Sequence, residues 1–80
     1  MFNRLQELRL ERNMSQKEVA KATNIPYSTY VKYETEHLDI NGARLLHLLK
    51  ICIVLDCKLT DILTDADLVR LVKKYNRAHK

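Results

Sequence analysis

The sequence contains very little glycine and proline, the two residues that interrupt helices, and very little phenylalanine and tryptophan. Among its 80 residues there are one glycine (Gly42), one proline (Pro26), one phenylalanine and no tryptophan. A single glycine excludes a glycine-rich phosphate-binding loop, and the scarcity of both helix breakers argues against a fibrous or low-complexity chain. With 46% apolar and 30% charged residues, the composition predicts a globular fold that is mainly helical.

Long apolar stretches are also missing. The longest uninterrupted one is ICIVL, residues 51–55, whereas a membrane helix needs about 20 such residues. The N-terminal residues show no charged segment followed by an apolar stretch of the kind that signals secretion. We therefore expect no membrane association and a cytoplasmic location. The length leaves room for one domain, 1–80, and none for a separate catalytic domain.

Residues that bind metals or carry out covalent catalysis are few and widely spaced. Cys52 and Cys57 form no C-x-x-C pair, and His37, His47 and His79 form no H-x-x-x-H pair and accompany no nucleophile motif. We therefore expect no metal, no cofactor, no small-molecule ligand and no enzymatic activity. Both cysteines are expected to be buried, and the histidines to lie on the surface.

Charge is distributed unevenly along the chain. The formal net charge is +4, yet residues 1–37 hold six Lys or Arg against five Asp or Glu. After Asp67 there is no acid, and five cations follow: Arg70, Lys73, Lys74, Arg77 and Lys80. This basic tail has two alternative interpretations, as a complement to the negative end of a helix dipole or as a phosphate-binding segment.

Apolar spacing and capping residues predict three short helices in the first half of the chain. Phe2, Leu5 and Leu8 have the spacing of one helical face, which predicts a helix over about 3–12. Ser15 with Glu18 has the S-x-x-E form of a capping box, so a second helix should begin at residue 16.

Asn24 and Pro26 predict the break between the second helix and a third. Asn24 tolerates the left-handed conformation that ends a helix, and Pro26 suits the first position of the next one. Two short helices with a three-residue break, over about 16–35, have the layout of a helix-turn-helix unit.

The segment LRLERNMSQKEVAKATNIPYSTYVKYE, residues 8–34, resembles the helix-turn-helix domains of the phage repressor and Cro class (XRE-like). Ten positions match the pattern of that family: Leu8, Arg9, Arg12, Ser15, Gln16, Val19, Ala20, Ile25, Tyr33 and Glu34. The resemblance extends more loosely over residues 44–63. It implies an all-α, five- to six-helix repressor/Cro-like domain that binds double-stranded DNA through its third helix. It also implies a structural ion pair between Arg9 and Glu34, and a phosphate contact from Gln16.

The third helix should present different residues to the core and to DNA. At 100° per residue, Tyr30, Tyr33 and Glu34 share one side, and the other side carries Tyr27, Ser28, Val31, Lys32 and Thr35. The resemblance assigns Tyr30 and Tyr33 to the core, and their polar hydroxyls should reach its rim to find a partner. With Pro26 as the first residue of this helix, Tyr27 is the second, at the end that should meet base edges.

The outward residues are candidates for reading bases. Lys32 suits guanine, Ser28 suits either base pair, and Tyr27 or Val31 suits a thymine methyl group. Lys17 is a candidate phosphate contact. The alternative for each residue is an ordinary solvated side chain.

Two features depart from the family pattern. Asn24 stands where the turn usually has glycine, and TEHLD, residues 35–39, brings two acids and no Lys or Arg where basic residues usually contact the DNA backbone. The second departure lowers the expected number of phosphate contacts.

The remaining residues predict helices four and five over about 41–63 and an extra C-terminal helix over about 65–77, capped by Thr64. The core stripe of helix four should be Leu45, Leu48, Ile51, Cys52 and Leu55. A second stripe on helix four and an apolar face on helix six are predicted to form a dimer interface: Leu46, Leu49, Ile53, Leu68, Leu71, Val72 and Tyr75. The alternative is that helix six covers both stripes within one chain.

Together these features predict a small Cro-like or phage/mobile-element repressor that binds DNA as a homodimer. Two alternatives remain. One is the antitoxin of a toxin–antitoxin pair, in which a protein partner such as a toxin or an antirepressor uses the extra apolar surface. The other is a protein-interaction module that has lost DNA binding, which the acids after helix three favour.

Overall fold

A computed structural model describes residues 3–79, and over that range the chain is helical, with no β-strand. It contains α1 (Arg4–Glu11), α2 (Gln16–Thr23), α3 (Tyr27–Glu34), a 3₁₀ turn (Ile40–Gly42), α4 (Leu45–Leu55), α5 (Leu59–Ile62) and α6 (Ala66–Ala78). The predicted all-α class is therefore confirmed. Phe2 in the first apolar stripe and Lys80 in the basic tail lie outside the described residues.

The predicted signals fix both ends of α2. Ser15 Oγ accepts a hydrogen bond from the Glu18 amide at 3.0 Å, and Glu18 Oε1 accepts one from the Ser15 amide at 2.8 Å. Asn24 ends the helix in the left-handed region, at φ 56°. The prediction for Pro26 was wrong by one residue, because its ψ of 136° keeps it outside α3. Tyr27 is consequently the first residue of α3 rather than the second.

One hydrophobic core joins the helices. Its most buried members are Leu5, Val19, Tyr30, Ile51, Leu55 and Ile62. Ala20, only 3% exposed, lies where α2 packs on its neighbours α3 and α4, and its small side chain permits that close packing. The core therefore fixes α3 against α2, which determines which face of α3 is left in solvent.

One predicted core residue of α4 is not in the core. Leu48, Ile51, Cys52 and Leu55 are buried as predicted, but Leu45 is 62% exposed. It is the first residue of α4, one turn before Leu48, where the neighbouring helices no longer cover the α4 surface. Leu45 therefore belongs with the exposed apolar residues of this helix.

The start of α6 also differs from the prediction. Asp65, not Thr64, caps the helix, because its carboxylate accepts hydrogen bonds from the amides of Asp67 and Leu68 at 2.9 and 3.0 Å. Thr64 instead bonds to Asn41, whose Oδ1 accepts from the amides of Thr64 and Asp65 at 2.8 and 2.9 Å. These bonds attach the beginning of α6 to the 3₁₀ turn.

The apolar face of α6 is divided between core and solvent. Leu68 and Val72 are half-buried against the core of their own chain, whereas Leu71 and Tyr75 are each 62% exposed. The helix packs mainly on α5. The alternative in which α6 hides the second stripe of α4 within one chain was therefore wrong, because that stripe remains exposed.

Two predictions about reactive side chains also need correction. Cys52 is buried, and burial raises its pKa to about 12, but Cys57 is only half-buried because it lies in the loop after α4. Of the histidines, His37 and His79 are exposed, but His47 is half-buried against Tyr33.

Candidate nucleic-acid interface

The third helix divides into a buried and an exposed side. Tyr30 and Tyr33 are 0% and 4% exposed, and Glu34 is 2% exposed. On the opposite side Tyr27, Ser28, Lys32 and Thr35 are exposed, and Val31 is half-buried. The structure therefore places all the predicted base-reading residues on one solvent-facing side of α3.

A buried ion pair holds the end of α3. Arg9 Nε donates to Glu34 Oε2 at 2.7 Å, and Arg9 Nη2 donates to Glu34 Oε1 at 3.1 Å. These hydrogen bonds raise the pKa of the Arg9 guanidinium. Arg9 Nη1 also donates to the carbonyl oxygen of Met14 at 2.9 Å, so the same side chain ties the loop before α2. The pair therefore orients three consecutive helices.

Gln16 extends this network. Its Nε2 donates to Glu34 Oε1 at 3.2 Å, and its side chain is half-buried at the beginning of α2. The amide that was predicted to contact phosphate is thus engaged within the protein. The Arg9–Glu34 pair that positions α3 therefore also positions Gln16. A DNA strand at the beginning of α2 would meet a side chain that is already oriented.

The two core tyrosines differ at their hydroxyl groups. Tyr33 Oη lies 2.9 Å from His47 Nδ1, at the edge of the core, as predicted. The prediction for Tyr30 was wrong, because its hydroxyl is fully buried and makes no hydrogen bond within the described chain. Burial, together with the neighbouring Glu34 carboxylate, raises the pKa of Tyr30. Both rings therefore anchor α3 to the hydrophobic core and are not accessible to a ligand.

The exposed side of α3 forms a shallow depression. Its lining consists of Tyr27, Ser28, Val31, Lys32, Thr35 and His37. The Lys17 ammonium lies 5.8 Å from the centroid of the Tyr27 ring, which is within the range of a cation–π contact. Lys17 on α2 and Lys32 on α3 thus flank an aromatic and hydroxyl-bearing surface that suits the major groove.

His37 was not predicted as a site residue, and Thr35 is less available than predicted. Thr35 Oγ1 donates to the carbonyl oxygen of Val31 at 2.9 Å and lies 2.8 Å from His37 Nδ1. The hydroxyl is therefore already bonded, and His37 contributes an exposed imidazole beside it. The only sequence signal for His37 was its position three residues after the end of α3.

The loop after α3, residues 35–39, carries two acids and no Lys or Arg. Glu36 is exposed and adopts φ 64°, and Asp39 accepts hydrogen bonds from Asn41 at 3.0 and 2.9 Å. Neither acid forms an ion pair with Lys, Arg or His within the described range. The loop is thus less favourable to phosphate than the face of α3.

The predicted dimer residues lie on α4 and α6. Leu46, Leu49 and Ile53 of α4 are 58%, 45% and 79% exposed. Leu71 and Tyr75 of α6 are exposed, but Leu68 and Val72 already contact their own core. The cations Arg70, Lys73 and Arg77 also lie on α6, where they line a depression with Lys58.

The described residues were also compared with the requirements of a membrane-spanning helix and of a metal site. No helix in the described range is both long and apolar enough to cross a membrane. No group of three His, Cys, Asp or Glu side chains there is arranged to hold a metal ion.

Comparison with known proteins identifies one family. A family model described as the Cro/C1-type HTH DNA-binding domain matches residues 4–67. This range contains α1 to α5 and the beginning of α6, including the whole exposed face of α3. Searches among curated proteins and among solved structures give no match.

Proposed function

Because the chain belongs to the Cro/C1-type HTH DNA-binding domain family, we propose that it is a sequence-specific regulator of transcription that binds double-stranded DNA as a homodimer. The proposed form is a small Cro-like repressor of phage or mobile-element type, acting in the cytoplasm where it meets its DNA. The observation that carries the proposal is the exposed face of α3. The buried residues Tyr30, Tyr33 and Glu34 on the inward side fix this helix against the rest of the chain.

Four residues of that face have a proposed role in reading bases. Lys32 donates to guanine O6 and N7, Ser28 contacts either base pair, and Tyr27 and Val31 pack on thymine methyl groups. The Tyr27 ring lies at the beginning of α3, which is the end of a recognition helix that meets base edges. The Lys17 ammonium, above that ring, neutralises a phosphate, and Gln16 donates to the same strand.

Selection from a pool of random duplexes tests this proposal. We expect enrichment of a palindromic or pseudo-palindromic site, and an affinity that falls steeply as salt rises, because phosphate neutralisation releases counterions. Lys74→Ala on α6 is a comparison variant, because Lys74 is exposed and belongs to the basic tail, the other segment predicted to bind phosphate. No enriched sequence, with binding that does not depend on salt, would show that the proposal is wrong.

A second candidate function is a protein-interaction module without DNA binding. Two observations favour it: the acids Glu36 and Asp39 beside α3, and the exposed apolar stripe on α4. An antitoxin would combine both functions, with DNA at α3 and a toxin on the stripe. Co-purification of a second small protein supports the antitoxin, and absence of any salt-dependent gel shift supports the interaction module.

A further inference from the structure

One face of α4 exposes four large apolar side chains. Leu45, Leu46, Leu49 and Ile53 are 62%, 58%, 45% and 79% exposed. The steps of three and four residues from Leu46 to Leu49 to Ile53 place these three on one side of the helix, over about two turns. A stripe of this kind, unlike single exposed leucines, is typical of a surface that another apolar surface covers.

The charges at the ends of α4 oppose its helix dipole. Arg44 is the N-cap residue, makes no capping hydrogen bond, and is followed by a first turn without an acid. Asp56 is the C-cap residue, and the last turn holds no cation. Since the N-terminus of a helix is the positive pole, each charge lies at the pole that disfavours it.

Neither charge is compensated inside the described chain. Arg44 and the Asp56 carboxylate take part in none of its ion pairs. Arg12 Nη2 does approach Asp56, but it donates to the backbone carbonyl oxygen, at 3.1 Å. Both charges are exposed, so a partner surface can reach them.

We propose that α4 packs antiparallel against α4 of a second copy of the chain, with Arg44 of each copy beside Asp56 of the other. This proposal rests on the proposed homodimer and specifies its interface. In an antiparallel pair, the positive end of one helix lies beside the negative end of the other. Arg44 and Asp56 therefore each meet an opposite charge and an opposite helix pole, and a two-fold axis repeats the contact.

The apolar stripe and the charges select the same register. If Leu46 of one copy faces Ile53 of the other, the two-fold axis passes next to Leu49, and the two Leu49 side chains meet there. Residue 44 is then opposite residue 55, directly beside Asp56. A parallel arrangement would instead place Arg44 next to Arg44, which is a repulsive contact.

Lys50 does not disrupt this register. It lies about 100° around the helix from Leu49 and about 40° from Leu46, at the edge of the stripe. At the rim of the interface its long aliphatic stem covers apolar surface while the ammonium remains in water. A second copy is thus favoured over an unrelated protein partner, because the chain itself supplies both charges at the required separation.

Charge exchange tests the antiparallel register. Sedimentation of the full chain gives dimer dissociation constants for wild type, Arg44→Glu, Asp56→Lys and the double variant. Because the two-fold axis doubles each contact, we expect either single variant to weaken the dimer roughly tenfold. The double variant, which restores opposite charges, should return to within about threefold of wild type. Lys74→Glu on α6 is the matched control and should leave the dimer unchanged.

Folding is monitored separately, because Asp56 adopts φ 51°. Lysine is strained there, whereas asparagine is tolerated and removes only the charge. Asp56→Asn should therefore keep the far-ultraviolet circular dichroism and thermal transition of wild type, and weaken the dimer less than Asp56→Lys.

The outcomes separate this interface from the proposed function. A double variant no tighter than the weaker single variant, or a wild type that stays monomeric at micromolar concentration, would overturn the antiparallel interface. Gel shifts on the selected duplex are measured in parallel, since the variants leave α3 unchanged. If the double variant dimerises as wild type does but no duplex is bound, the proposed function is wrong and the interface is supported. If a selected duplex is bound but the double variant does not recover dimerisation, the antiparallel interface is wrong and the proposed function is supported.

Discussion

Arg9 and Glu34, 25 residues apart in sequence, form a doubly hydrogen-bonded ion pair at 2.7 and 3.1 Å. Their side chains are only 8% and 1% exposed, so water screens the pair poorly. Gln16 donates to the same carboxylate, at 3.2 Å. One buried carboxylate thus fixes the end of the recognition helix against α1 and α2.

Removal of Arg9 should destabilise the fold much more than removal of Arg12. Arg9→Ala leaves the Glu34 carboxylate buried without its cation, and we expect a loss of about 3–5 kcal/mol in the free energy of unfolding. Arg12 is exposed and donates to one backbone carbonyl, so Arg12→Ala should cost about 1 kcal/mol or less. Chemical denaturation measures both. Equal losses would show that the pair contributes little to stability.

A second prediction concerns Gly42, the only glycine in the sequence, which does not occupy a left-handed backbone position. Asn13, Asn24, Glu36 and Asp56 have positive φ, whereas Gly42 does not. A Cβ added at Gly42 would meet no atom within 4 Å. Gly42→Ala should therefore stabilise the chain by about 0.4–1 kcal/mol, mainly by restricting the unfolded state.

Glu36 is the contrasting position. At φ 64° glycine avoids the steric cost that alanine incurs, so Glu36→Gly should be about 1 kcal/mol more stable than Glu36→Ala. Both variants remove the same charge, so the comparison isolates the backbone. Thermal denaturation at one pH measures the difference, and a more stable alanine variant would contradict the assigned conformation.

Local signals in the sequence predicted some features correctly and missed others by one residue, since Pro26 precedes α3 and Asp65 rather than Thr64 caps α6. The capping box of α2 and the left-handed Asn24 depend on adjacent residues, and both were predicted correctly. The position of Leu45 depends on where other helices end, which periodicity does not encode. The buried hydroxyl of Tyr30 was missed for the same reason, since its surroundings come from distant parts of the chain.

The candidate site shows the same limit. Helical periodicity was enough to separate Tyr27, Ser28 and Lys32 from the buried tyrosines. It did not reveal that the Thr35 hydroxyl bonds within α3 or that His37 lies beside it, because both contacts depend on how the chain leaves the helix.

Lys32 and Lys17 should have different effects on DNA binding. Lys32→Ala should cost about 1–3 kcal/mol on the preferred duplex and relax the preference at one position of each half-site. Lys17→Ala should weaken all duplexes to a similar degree, because a phosphate contact carries no base information. Titrations on preferred and scrambled duplexes distinguish the two. A uniform loss from both variants would make Lys32 a phosphate contact.

Stability should fall as pH decreases through the titration range of His47. Burial, followed by the charges of Arg44 and Lys50, lowers the pKa of His47 in the folded chain. At pH values above the ordinary histidine pKa of about 6.5, His47 is neutral in both the folded and the unfolded chain, so its titration takes nothing from the stability. Below it the unfolded chain binds the proton first, so stability is lost as pH falls towards the lowered folded pKa.

His47→Gln provides the control for this pH dependence. Glutamine keeps a polar partner for the Tyr33 hydroxyl, at 2.9 Å from His47 Nδ1 in the wild type, but does not titrate. Thermal denaturation at about pH 8 and about pH 5.5 should show a smaller change in melting temperature for the variant. The same change in both proteins would assign the pH dependence to other groups.

The last prediction concerns DNA binding by two copies at once. If α4 joins the copies, their recognition helices should contact half-sites about 34 Å apart, one turn of B-DNA, or a multiple of that distance. Leu49→Asp with Ile53→Asp places charges in the exposed stripe of α4 and leaves α3 unchanged. Both side chains face solvent in the monomer, so the variant should fold, sediment as a monomer, and bind the full operator about 10²–10⁴-fold more weakly.

A single half-site duplex completes this test. A monomer has the same α3 surface as one half of the dimer, so the variant and wild type should bind a half-site with similar affinity. Leu71→Asp with Tyr75→Asp, at exposed residues of α6, is a second comparison. A smaller loss of affinity for the full operator in that variant would assign the main dimer contact to α4. If the Leu49 and Ile53 variant still binds the full operator as tightly as wild type, the copies do not join through α4, because cooperative binding then survives without its apolar stripe.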